Sequence, residues 1–80
     1  MPTKKQNIAQ CIEHNLQQYF KDLDGEIPCG VYDMVLHQVE QTMLRCVMEQ
    51  CERNQTRAAS MLGLNRNTLR KKLIQHNLIE

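Results

Sequence analysis

Three features of the sequence predict an all-α fold with four helices. Apolar residues recur at steps of three and four from Ile8 to Leu23, and a second apolar-rich stretch runs from Val31 to Cys51. Two asparagines, Asn54 and Asn65, each precede a short helical segment, and Gly63 lies between those segments. The chain has 80 residues, enough for one small domain that buries about 60% of its unfolded surface as a monomer. With one Phe, two Tyr and no Trp, its core must come from Leu, Ile, Val and Met. Such a chain is marginal alone, and oligomerisation is one way to bury more.

The N-terminal residues 1–7 form a polar arm, frayed over MPTKKQ. The first helix uses Ile8, Cys11, Ile12, Leu16, Tyr19, Phe20 and Leu23 as its apolar face, and Asp24-Gly25 ends it. Glu26 to Gly30, with Pro28, reads as a connector. The second helix, from Val31 to Cys51 or Glu52, is apolar over more than half its circumference. A surface helix of a monomer needs only one apolar face, so this one is expected to have several neighbours, and self-association is predicted. Residues 8–53 are thus the dimerisation helices, and residues 54–80 a helix-turn-helix unit within the same single domain.

In that unit Asn54 caps a helix from Gln55 to Leu62, Gly63 supplies the turn, and Asn65 caps a helix from Arg66 to about Gln75. Ala58 and Ala59 allow close approach of the two helices, Met61, Leu62 and Leu64 fill the angle, and Leu69 with Leu73 anchor the last helix inward. At ~100° per residue, Asn67, Thr68, Lys71 and Gln75 point away from the leucines.

Charge divides along the chain. Residues 1–52 hold four basic residues against eight acids, whereas residues 53–80 hold six basic residues against Glu80 alone. An acid-free basic stretch from Arg53 to Ile79, arranged as two helices and a turn, suits double-stranded DNA, a polyanion whose major groove admits a helix. Residues near the start of a recognition helix reach base edges, which makes Asn65, Arg66 and Lys71 the candidates for base contact. Phosphate contacts come from basic and short polar side chains, so Asn54, Thr56, Arg57, Thr68, Arg70 and Lys72 are the candidates for the DNA backbone.

Other chemistries find little support. Cys11, Cys29, Cys46 and Cys51 are separated by 18, 17 and 5 positions, which matches no zinc spacing, and core or surface thiols are expected. His14, His37 and His76 read as scattered, Glu40 and Glu49 as lying on solvent faces, and no catalytic arrangement is visible. No enzyme, cofactor or metal is therefore expected. No signal peptide or membrane span is visible, so a cytoplasmic location is expected. The alternative to a DNA-binding protein is a dimerising adaptor that contacts polymerase or a recombinase and touches DNA only weakly.

The segments NQTRAA at 54–59 and LGLNRNTLRKKL at 62–73, with VEQ at 39–41, resemble the Fis family (factor for inversion stimulation) of bacterial nucleoid-associated proteins. A weaker similarity extends back through NLQQYFKDLDG at 15–25. The resemblance implies an obligate homodimer whose first two helices from each copy intertwine, with two recognition helices set closer than one turn of straight B-DNA. It therefore implies DNA bending, a loose sequence preference and a place in the nucleoid, with RNA polymerase as a further candidate partner. By position it carries base contact onto Asn65, Arg66 and Lys71, and backbone contact onto Asn54, Thr56, Arg57, Thr68, Arg70 and Lys72. Relatives have a longer N-terminal arm that activates recombinases, so that activity is not expected here. They often kink the long helix with a proline where this chain has Thr42, so a straighter helix is expected. Asn67 replaces a common glycine, and Ile74 and Gln75 replace common lysines.

Overall fold

A computed structural model of the protein describes residues 7–79. The frayed segment expected over residues 1–6 and the terminal Glu80 lie outside the described residues. Among the described residues all regular structure is helical: α1 (Ile8–Asp22), α2 (Val31–Gln50), α3 (Gln55–Leu62) and α4 (Arg66–Gln75). The chain divides into two compact units, one ending at Val31 and the other beginning at Tyr32. Among the described residues no helix is long and apolar enough to cross a membrane.

In the first unit, Asn7 closes the N-terminus of α1 with a capping box. Its Oδ1 accepts from the Gln10 N–H at 2.8 Å, and Gln10 Oε1 accepts from the Asn7 N–H at 3.3 Å. Asn7, grouped with the arm on sequence, is thus part of the helix cap. At the other end Asp24 (φ 52°) and Gly25 (φ 89°) turn left-handed, the stop expected of Asp24-Gly25. α1 buries no residue; Ile8 remains 75% exposed and Phe20 48% exposed.

In the second unit, α2 runs unbroken through Thr42. It contributes Leu44 and Met48 to a core completed by Cys51, Ala58, Ala59, Leu69 and Leu73, with Val47, Leu62, Leu64, Leu78 and Ile79 packed around it. Ala58 and Ala59 are buried where α3 meets the rest, and Leu69 and Leu73, four apart on α4, are fully buried. The expected inward anchors are therefore the ones used. Most of the apolar surface of α2 is not consumed by this core, and Tyr32, Leu36 and Met43 stay exposed.

The three ends of α2, α3 and α4 share one hydrogen-bond pattern. Arg53 N–H donates to Met48 O at 2.8 Å, Leu64 N–H to Ala59 O at 2.9 Å, and Leu78 N–H to Leu73 O at 2.8 Å. Each spans five residues and closes otherwise orphaned carbonyls, as in a Schellman motif. Gly63 (φ 75°) adopts the required left-handed conformation without a Cβ penalty, whereas after α2 it falls on Glu52 (φ 54°) and Arg53 (φ 65°), and after α4 on Asn77 (φ 59°). These turns aim α3 and α4.

Candidate nucleic-acid interface

The interface is built on α3, the turn and α4. Asn54 Oδ1 accepts from the Arg57 N–H at 3.1 Å, and Asn65 Oδ1 accepts from the Asn67 N–H at 2.8 Å. Both predicted caps therefore form, and each satisfies an early amide that the helix itself leaves unpaired. Capping occupies one oxygen of each asparagine and leaves its side-chain NH₂ as a donor. That donor suits phosphate oxygens, which only accept, and it suits acceptors on base edges.

Asn65, Arg66 and Lys71 are exposed on α4 and its cap, as are Thr68 and Arg70; Asn54, Thr56 and Arg57 are exposed on α3 and its cap. No ion pair of Arg66, Arg70 or Lys71 is found among the described residues. Burial of Leu69 and Leu73 fixes which way α4 faces, since a helix anchored at i and i+4 cannot turn about its axis without exposing them. Asn67, Ile74 and Gln75 are exposed as well.

Lys72 differs from the rest. It is only part-exposed, and its Nζ lies 2.8 Å from Glu40 Oε2 on α2. The other Glu40 oxygen, Oε1, lies 2.7 Å from His76 Nε2. His76 stands at the C-cap of α4 and is almost completely buried. Its ring meets that of His37 with centroids 4.7 Å apart, and its backbone oxygen accepts from Gln41 Nε2 at 3.5 Å. The Lys72 ammonium first, and then His76, hold the Glu40 carboxyl below its ordinary pKa.

Two sequence expectations are corrected by this cluster. Glu40 does not lie on a solvent face; it ties α2 to α4. His37 and His76 are not scattered, because packing α4 across α2 brings together positions 39 apart in the chain. The basic stretch, free of acids in sequence, also receives acids from elsewhere: Glu40 at Lys72, and Glu52 at Arg57, whose Nη1 lies 4.0 Å away with both side chains mostly exposed. The second pair is long and solvated and contributes little. A polar residue at the buried register of α2, three before Met43-Leu44, was the available signal for Glu40.

Among the described residues no group of three or more His, Cys, Asp or Glu is placed to hold a metal ion. Cys11, Cys29 and Cys46 are exposed thiols, and Cys51 is buried in the core with its Sγ 4.0 Å from Met61 Sδ.

Residues 35–76 match the family model described as bacterial regulatory protein, Fis family. The chain is 70% identical over 79 residues to a protein of Neisseria meningitidis named as Fis-like and DNA-binding, covering 99% of this chain and 100% of that relative. It is 56% identical over 72 residues to a protein of Ralstonia nicotianae with the same name, covering 90% of this chain and 94% of the relative. To the DNA-binding protein Fis of Glaesserella parasuis it is 43% identical over 74 residues, covering 92% of this chain and 71% of the relative.

Proposed function

The chain belongs to the Fis family of bacterial regulatory proteins, and from that premise we propose that it is a homodimeric, sequence-tolerant DNA-binding and DNA-bending protein. Its place is the cytoplasmic nucleoid, its role nucleoid organisation and transcription regulation, and RNA polymerase is a further partner. The observation that carries this reading is α4: a helix locked by Leu69 and Leu73 that exposes Arg66, Arg70 and Lys71 with no acid of its own. Asn65, Arg66 and Lys71 read base edges. Asn54, Thr56, Arg57, Thr68, Arg70 and Lys72 hold phosphates.

Dimerisation is supported by apolar surface that a single chain leaves open. α1 buries nothing, and α2 separately leaves Tyr32, Leu36 and Met43 in solvent. Burying such side chains against a second copy gains about 1.5–3 kcal/mol for a fully exposed one and about half that for the half-exposed Leu36 and Met43. Two α4 helices held by that pair enter neighbouring major grooves. Half-sites on straight duplex lie about 34–36 Å apart, and a shorter reach is met by bending, which favours sequences that deform easily.

Duplex binding measured against salt tests this reading. Log affinity is expected to fall steeply with log salt, by about 0.9 for each phosphate contact. A flat response would favour the adaptor reading instead.

A further inference from the structure

Of the six side chains proposed to hold phosphate, Lys72 alone is engaged at short range by a carboxylate among the described residues. That carboxylate is itself fixed. Glu40 uses Oε2 for Lys72 at 2.8 Å and Oε1 for His76 at 2.7 Å, and His76 is buried, in tilted ring contact with His37 and bonded through its backbone to Gln41. An anchored carboxylate cannot follow the lysine. When Lys72 turns toward a phosphate, Glu40 stays behind with one oxygen unpaired. That loss opposes binding.

We infer that Glu40 competes with duplex phosphate for Lys72 and acts as a built-in restraint on DNA affinity. The inference rests on the DNA-binding reading above. It makes Glu40 a positioning residue: it acts through Lys72, and its effect vanishes when Lys72 is absent. Glu40→Gln keeps an oxygen for His76 and removes the charge that holds the lysine.

The test is a four-member cycle of the native chain, Glu40→Gln, Lys72→Ala and the double variant. Affinity for a random-sequence duplex is read by fluorescence anisotropy at one salt concentration, with a thermal melt of each protein. Glu40→Gln is expected to tighten binding about threefold to tenfold, the scale of coupling between side chains in one network. In the Lys72→Ala background the same substitution is expected to change affinity by less than about twofold. An unchanged or weakened Glu40→Gln complex overturns the inference. So does equal tightening in both backgrounds, which would mark a general loss of negative charge. Should Glu40→Gln fail to fold, the native background decides: Lys72→Ala is expected to cost less affinity than Arg70→Ala, and an equal or larger cost overturns the inference. If the native chain does not bind duplex at all, the DNA-binding reading falls with it. Native binding without coupling removes the inference alone.

Discussion

His76 Nε2 lies 2.7 Å from Glu40 Oε1 although the two residues are 36 positions apart. This contact joins the end of α4 to the middle of α2, and with Lys72 on the second oxygen it keeps the Glu40 carboxyl below its ordinary value of 4.5. A carboxyl depressed in the folded state stabilises the fold above its unfolded pKa, and that stability is lost as pH falls from there through the depressed folded value. Glu40→Gln is therefore expected to cost about 1 kcal/mol at neutral pH, as a part-exposed charge-assisted network allows. The difference from the native chain is expected to vanish once pH drops below the folded pKa. Urea unfolding of both proteins at matched concentration checks this; a difference that grows on acidification would contradict it.

Gly63 carries the turn between α3 and α4 at φ 75°, and a Cβ there would meet nothing within 4 Å. The penalty for a side chain is thus backbone strain alone. Gly63→Ala is expected to destabilise by about 1–2 kcal/mol, and Gly63→Asn by less, because Asn tolerates the left-handed region. Equal melting temperatures for native and Gly63→Ala proteins would show that the turn relaxes without cost.

Leu69 and Leu73 are fully buried, whereas Ile74 is 45% exposed. Leu69→Ala or Leu73→Ala is expected to cost about 2–5 kcal/mol, the loss from opening a cavity. Ile74→Ala is expected to stay within about 1 kcal/mol. Chemical denaturation ranks the three, and a similar cost at Ile74 would mean that its face is covered by another surface in solution.

Arg66 stands at the first position of α4 and Arg70 one turn later, both exposed. As a base-reading residue, Arg66→Ala is expected to relax preference at one base position by about 1–3 kcal/mol. As a phosphate contact, Arg70→Ala is expected to weaken all sequences alike and to lower the salt slope by about 1. Binding to a panel of single-base variants separates them. Equal losses for both variants on specific and random duplex would refute the division of roles.

What was legible in the sequence was governed by neighbours along the chain. α3 and α4 begin and end where Asn54, Gly63, Asn65 and the leucine spacing predict, because caps and left-handed turns are settled within four or five residues. The left-handed Glu52 and Arg53 do not follow from the sequence, since neither residue type announces positive φ. Glu40, His37 and His76 were missed for a related reason. On α2 alone Glu40 is a polar residue four positions from both Leu36 and Leu44, and only the crossing of α4 supplies its partners Lys72 and His76. The exposed basic set on α3 and α4 was readable because charge and helical period suffice to place it. The partial neutralisation of Lys72 was not, because its partner lies 32 positions away.

In the proposed complex two copies hold a pair of basic helices against one distorted duplex. Energy transfer between dyes at the two ends of a short duplex, followed while the protein is titrated in, measures this directly. The expected result is a rise in transfer that saturates at two chains per duplex and is larger when the centre is A/T-rich. Saturation at one chain, or binding that leaves the end-to-end distance unchanged, would contradict it.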